Sequence, residues 1–98
     1  KRPDNIELCF VNPVIALKPR VTPELVLYSN VPLSKPRLLI DGDFYDGEFV
    51  ADKKHARFEI PKIKRKGNYS AEVYDGEKNM SVKLEFKVQK QTREVDLF

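Results

Sequence analysis

Four acidic side chains lie close together in the stretch IDGDFYDGE: Asp41, Asp43, Asp46 and Glu48. Carboxylates in such a run suggest a calcium site, because Ca²⁺ takes about six to eight oxygen ligands. In an EF-hand loop, acids occupy positions 1, 3 and 5 and glycine occupies position 6. With Asp41 at position 1, Asp46 falls where glycine is required. The EF-hand pattern is not met, so we interpret the stretch as two Asp-Gly turns, and a calcium site of another kind stays open.

The tetrapeptide Tyr-Asp-Gly-Glu occurs twice, at 45–48 and at 74–77. The second copy lies between two alternating segments, where Asp-Gly is a strong signal for a hairpin turn. We expect the same hairpin chemistry at both copies, and therefore no duplicated site.

Aromatic side chains flanked by acids are the best candidates for a protein contact, because aromatic residues often anchor interfaces. The predicted partner-binding residues are Asp43, Phe44, Tyr45, Asp46 and Tyr74. The alternative is that Phe44 or Phe49 packs into the core.

A basic run follows at Lys62, Lys64, Arg65 and Lys66, in a chain whose formal net charge is +3. We do not expect nucleic-acid binding, because the charge is small and no aromatic residue interrupts the run to stack on bases. The acidic stretch and the basic patch predict an asymmetric charge distribution. Opposed patches of this kind would orient a protein partner, and association would depend on salt.

Catalysis is not expected, and neither is a cofactor. The chain has one imidazole, His55, and one thiol, Cys9. A nucleophile needs a base within hydrogen-bond reach, and Cys9 lies in an apolar strand where we expect a buried, inert thiol. The glycines are scattered, so there is no phosphate-binding glycine loop, and no Cys/His spacing fits zinc. A single cysteine also allows no internal disulfide.

The hydrophobic pattern predicts short β-strands. Met80, Val82 and Leu84 begin an alternation that continues to Val88, and residues 68–88 are predicted to form a hairpin. Apolar segments around residues 6–12, 22–30, 36–42 and 56–63 predict further strands, while prolines interrupt any helical period. Residues 41–57 hold one strand or two. The fold class is an all-β sandwich of about seven strands over residues 1–90, with residues 91–98 as a strand extension or linker.

From Phe58 onward the chain resembles immunoglobulin-like domains. The pattern is an apolar-x-apolar strand, a further apolar residue and then Gly-x-Tyr-x-Cys, matched here by Phe58, Ile60, Ile63, Gly67, Tyr69 and Ala71. The resemblance implies an immunoglobulin-like antiparallel β-sandwich in which the Tyr69 hydroxyl bonds to upstream backbone. Ala71 replaces the disulfide cysteine and tryptophan is absent, which points to disulfide-free relatives: phage capsid and tail domains, or first domains of adhesion receptors.

We therefore expect a non-catalytic binding or structural module, most consistent with a virion surface or decoration domain that contacts a protein or a cell surface. The alternatives are a cell-surface adhesion domain that binds through a sheet face, and an accessory domain of an enzyme. The expected location is a virion surface or extracellular. The chain is expected to be part of a longer polypeptide, without a membrane span. Asn68 and Asn79 begin Asn-x-Ser triplets, whose glycosylation depends on the host.

Overall fold

The computed structural model describes residues 7–50 and 54–90, and within them nine strands form two β-sheets. The predicted all-β, two-sheet architecture is confirmed, with nine strands where about seven were predicted. The strands are β1 (Leu8–Phe10), β2 (Val14–Leu17), β3 (Glu24–Ser29), β4 (Pro36–Ile40), β5 (Asp43–Asp46), β6 (Glu48–Phe49), β7 (His55–Glu59), β8 (Gly67–Asp75) and β9 (Lys78–Lys90).

The four-stranded sheet has the order β1-β3-β7-β6, and all of its pairs are antiparallel. Buried and exposed side chains alternate along its strands, as the sequence predicts, because successive side chains of a strand point to opposite faces. Leu25 and Leu27 of β3 and Phe58 of β7 are fully or almost fully buried. They pack in the core that fills the space between the two sheets.

The five-stranded sheet has the order β2-β9-β8-β4-β5. Its centre is the predicted hairpin of β8 and β9, which contributes the buried residues Ala71, Val73, Phe86 and Val88. β2 joins the other side of β9 in parallel, with Val14 opposite Lys87. This strand was not recognised in the sequence, because it has only four residues, lies between Pro13 and Pro19, and pairs with a strand far along the chain.

The turn between β8 and β9 is centred one residue later than predicted. Asp75 pairs with Lys78, so the two central residues are Gly76 and Glu77, and only Gly76 has a positive φ. That combination is typical of a type II′ turn. The side chain of Asp75 instead accepts hydrogen bonds from the backbone N–H groups of Ser34 and Lys35, at 3.0 and 2.7 Å, and so ties the β3–β4 loop to this turn.

The predicted Asp-Gly turn at 41–42 is confirmed. Ile40 pairs with Asp43, and both Asp41 and Gly42 have positive φ, at 51° and 84°. Positive φ at both central residues defines a type I′ hairpin, whose twist matches that of the flanking strands.

The predicted second turn, at Asp46-Gly47, is wrong. Gly47 does not have a positive φ, and it lies between β5 of one sheet and β6 of the other, so the chain changes sheets there. A Cβ atom at this position would lie 2.6 Å from the ring of Phe58. Glycine is thus required by a close approach and not by a turn, and the two Tyr-Asp-Gly-Glu copies have different structural roles.

Between residues 41 and 57, the described part of the chain contains two complete strands, β5 and β6, and the start of β7. The described residues include no helix long and apolar enough to cross a membrane. β9 extends to Lys90, and the predicted extension or linker at 91–98 lies outside the described residues, as do residues 1–6.

A candidate protein-binding face

The outer face of the five-stranded sheet presents side chains in two cross-strand rows. In one row Asp46 of β5, Arg37 of β4 and Tyr74 of β8 are neighbours. In the other row Phe44, Leu39 and Glu72 occupy the same three strands. Alternation places these side chains opposite the buried residues of each strand, and side chains on one face at this spacing are in reach of each other. We call this surface, made of these six residues, the outer-face patch.

Phe44 is the most exposed aromatic side chain of the outer-face patch. Its side chain is 45% exposed, and it is the one aromatic residue among the exposed large hydrophobic side chains of the described part of the chain. The ring contacts Tyr74 edge to face, with centroids 5.1 Å apart, and the guanidinium carbon of Arg37 lies 4.2 Å from the Phe44 centroid. An edge-to-face pair and a cation–π contact both restrict a ring. The predicted contact residues Phe44 and Tyr74 are therefore brought together.

Arg37 holds the outer-face patch together through its own contacts. Its Nε lies 3.2 Å from Asp46 Oδ1 as an ion pair without hydrogen-bond alignment, and its Nη1 donates to the carbonyl of Gly76 at 3.2 Å. The Asp46 side chain is largely exposed, so the ion pair contributes little to stability and mainly orients the guanidinium. Arg37 was missed in the sequence, although its alternation with Leu38 indicated an outward side chain.

The prediction that Tyr45 points outward is wrong. Its side chain is 8% exposed and belongs to the hydrophobic core. Phe44 and Asp46 point outward from β5, so the residue between them must point inward. Burial raises the pKa of the Tyr45 hydroxyl, and the nearby carboxylate of Asp43 raises it further. Tyr45 therefore contributes its ring to the core and not to the outer-face patch.

Asp43 does not belong to the outer-face patch, because alternation along β5 places it on the side opposite Phe44. Its Oδ1 accepts a hydrogen bond from Lys62 Nζ at 3.1 Å. This ion pair joins the predicted acidic stretch to the predicted basic patch. The two are in contact at this point, and the prediction of opposed patches is wrong there. Glu48 forms a separate ion pair with Arg57, whose Nη2 lies 3.7 Å from the Glu48 carboxylate.

The carboxylates of the acidic stretch do not come together as a group of possible metal ligands in the described residues. No group of three or more His, Cys, Asp or Glu side chains suited to a metal occurs in residues 7–50 and 54–90. Asp43, Asp46 and Glu48 each lie against a lysine or arginine side chain, which supplies the positive charge that a cation would otherwise bring.

A shallow hollow of about 200 Å³ lies beside the outer-face patch, lined by Glu72, Asn79, Ser81, Val82 and Lys83. It forms where two additional residues of β9 lie opposite β8, a bulge at which Ser81 has a φ of 61°. Adding two residues leaves the inward–outward alternation unchanged, which explains why the sequence pattern did not reveal the bulge. Asn79 fixes it, because its Oδ1 accepts from the N–H of Ser81 at 2.7 Å.

The predicted basic patch is dispersed over the β7–β8 loop. Ile63 anchors the loop in the core, and Lys62, Lys64, Arg65 and Lys66 are exposed around it. The hydroxyl of Tyr69 donates to the carbonyl of Arg65 at 2.7 Å, which is the upstream backbone bond that the resemblance implied. Lys62 contacts Asp43, whereas Lys64 lines a groove on the other side of the loop.

Cys9 and His55 lie on the outer face of the other sheet. Cys9 is exposed, so the expectation of a buried thiol is wrong: Leu8 and Phe10 point inward and the residue between them points outward. Cys9 is opposite Tyr28 on β3, and Tyr28 is opposite His55 on β7. With strands about 4.8 Å apart, the thiol-bearing and imidazole-bearing strands are about 10 Å apart. Tyr28 lies between the two residues, and its ring centroid is 5.4 Å from that of His55.

These features define a small all-β sandwich domain with one aromatic and charged sheet face. The chain belongs to the family described as a domain of unknown function, DUF7862, whose family model matches residues 6–91. No curated protein and no solved structure matches the chain. The family match spans both sheets and every residue of the outer-face patch.

Proposed function

We propose that this chain is a non-catalytic, immunoglobulin-like module that binds a protein partner through the outer-face patch. The observation that carries the proposal is the Phe44 side chain. It is exposed on the edge strand β5, yet its ring is fixed between Tyr74 and Arg37.

The composition of the outer-face patch suits a protein partner. Aromatic residues and arginine are enriched among the residues that dominate binding energy, and they bind best when neighbouring groups exclude water. Phe44, Tyr74 and Arg37 supply these types. Because contacts within the domain already restrict them, they lose less conformational freedom on binding than isolated side chains would.

Two observations support the immunoglobulin-like part of the proposal. The strand orders β1-β3-β7-β6 and β2-β9-β8-β4-β5 resemble the ABED and GFC sheets of immunoglobulin-like sandwiches, with β2 and β5 added at the two edges of the second sheet. The Tyr69–Arg65 hydrogen bond has the geometry of the tyrosine corner, which closes the turn before the sixth strand of such domains.

The partner that we propose is a protein of a virion surface, with the module as a decoration domain on a capsid or tail. A cell-surface protein bound in adhesion is the second candidate, and it uses the same face. An exposed aromatic side chain on a sheet face suits a virion protein and a cell-surface protein equally. The location of the partner therefore decides between these two candidates.

The experiment measures retention of the labelled, full-length chain on assembled virus particles and on intact cells, with the Phe44→Ala variant beside the wild type. Truncation of a dominant interface aromatic costs about 2 kcal/mol or more. That corresponds to a loss of affinity of about 30-fold. Retention on particles supports the virion candidate, and retention on cells alone supports adhesion.

Val11→Ala is the matched control, because Val11 is an apolar side chain that is 56% exposed and lies outside the outer-face patch. Its binding should equal that of the wild type. Binding by Phe44→Ala at wild-type strength would refute the proposed face, and hydrolytic activity that His55→Ala abolishes would refute a non-catalytic role.

A further inference from the structure

A groove of about 560 Å³ lies at one end of the sandwich, between the β2–β3 connection and the β7–β8 loop. We propose that this groove, which we call the basic groove, binds a partner segment that carries both acidic and apolar side chains. It is a second interaction surface, separate from the outer-face patch.

The floor of the basic groove is apolar. Ile63 is buried beneath the β7–β8 loop, Leu17 ends β2, and Val21 is 57% exposed. Two prolines, Pro23 and Pro61, complete the floor. Covering Val21 and its neighbours with apolar side chains of a partner would remove hydrophobic surface from water, which is favourable.

The rim of the basic groove is positively charged. Lys18 and Arg20 lie on one side and Lys64 on the other, and no acidic side chain of the described residues lines the groove. Within residues 7–50 and 54–90, none of these three side chains takes part in an ion pair. By contrast, Lys62 of the same loop is paired with Asp43. The groove therefore presents unneutralised positive charge around an apolar floor, and a carboxylate-bearing apolar segment complements both features.

The turn that carries Arg20 has a conformation that its sequence does not favour. Lys18 and Val21 form an isolated bridge, Pro19 occupies the first central position, and Arg20 follows with a φ of 65°. This is the arrangement of a type II turn, where glycine or asparagine is the usual second residue. Arginine in this left-handed region is disfavoured by its Cβ atom. A charged residue at a strained position beside the groove is consistent with a role in binding.

A peptide fits the basic groove better than a nucleic acid or a membrane does. Among the described residues that line the groove, none is an aromatic on which a base could stack. Its cations surround a confined apolar floor and do not extend along a strip of backbone phosphates or over a flat lipid surface. In a short peptide, acidic side chains can contact the basic rim while neighbouring apolar side chains contact the floor.

The test measures fluorescence anisotropy of a labelled peptide, acetyl-Glu-Leu-Asp-Leu-Phe-amide, titrated with the full-length chain. Lys64→Glu should weaken binding by about tenfold or more, since it places like charges together. Arg20→Gly removes a positive charge from the rim, so the variant should bind the peptide more weakly. Its melting temperature should not fall, because glycine is favoured at this position of the turn. Lys78→Glu, at the far end of the β8–β9 hairpin, is the matched charge reversal and should bind like the wild type.

Four outcomes would overturn the proposal. If a peptide with Gln and Asn in place of Glu and Asp bound as tightly as the probe, that result would show that the basic rim does not recognise carboxylates. Tighter binding of a single-stranded oligonucleotide or of phosphatidylserine vesicles would identify another class of ligand. A dimer that Lys64→Glu abolishes would indicate a second copy of the chain. Tighter peptide binding after exchange of Glu94→Gln and Asp96→Asn would indicate an intramolecular occupant, because residues 94–98 differ from the probe only at Val95, where the probe has leucine.

Discussion

Replacement of Gly47 by alanine should destabilise the domain through a single steric conflict. A Cβ atom there would lie 2.6 Å from two ring carbons of Phe58 and 3.0 Å from a third. Carbon atoms normally approach to about 3.5–4.0 Å, so the overlap is close to 1 Å. Phe58 is fully buried, and its ring cannot move aside without disturbing the core between the sheets. Overpacking of this kind costs about 1–3 kcal/mol, and we expect the upper part of that range.

Urea denaturation followed by circular dichroism gives the free energy of unfolding. A loss of about 2–3 kcal/mol corresponds to a fall in melting temperature of roughly 8–24 °C for a domain of this size. Gly42→Ala is the control, because Gly42 has a φ of 84° but open space around it. It therefore reports the cost of backbone conformation alone, about 1 kcal/mol.

A double-mutant cycle isolates the contact with the ring. Phe58→Leu shortens the side chain, so Gly47→Ala should cost less in that background, with a coupling energy of about 1 kcal/mol or more. The reasoning would be refuted by a Gly47→Ala variant as stable as the wild type, or by additive effects of the two substitutions.

Two further predictions concern tyrosines. Tyr69→Phe keeps the stack on Phe86 but removes the bond to Arg65, and should lower the free energy of unfolding by about 1 kcal/mol; an unchanged urea midpoint would contradict this. The raised pKa of Tyr45 favours its protonated form in the folded state, so this contribution to stability is complete below pH 10.0 and is lost as pH rises through the folded pKa. Tyr45→Phe should therefore show a shallower fall in stability than the wild type as the pH rises above 10.0, and parallel curves would contradict the assignment.

The candidate site could be predicted only in part. The acidic stretch correctly indicated Phe44 and Asp46 as outward-pointing residues, but Tyr45 is buried between them. A single residue of error in strand register exchanges the two faces of a strand. Because two adjacent aromatic residues, Phe44 and Tyr45, lie between acidic ones, the local pattern does not choose between the two registers.

The amino-acid sequence by itself determined the class of fold and the local pieces. Period-two alternation specified β3, β7 and the β8–β9 hairpin, and Asp41-Gly42 specified a type I′ turn, because these features depend on neighbouring residues alone. The Tyr69 corner was likewise recognisable from a short motif.

Only the tertiary structure decided which of these pieces meet. β2 pairs in parallel with β9, so that Val14 lies opposite Lys87, and Lys62 reaches Asp43 across the end of the sandwich. Such contacts join residues distant in sequence, and their free energy comes from burial and pairing that no local pattern records. The same holds for Gly47, whose lack of a side chain is explained by the ring of Phe58 on β7 and by nothing adjacent to Gly47 in the chain.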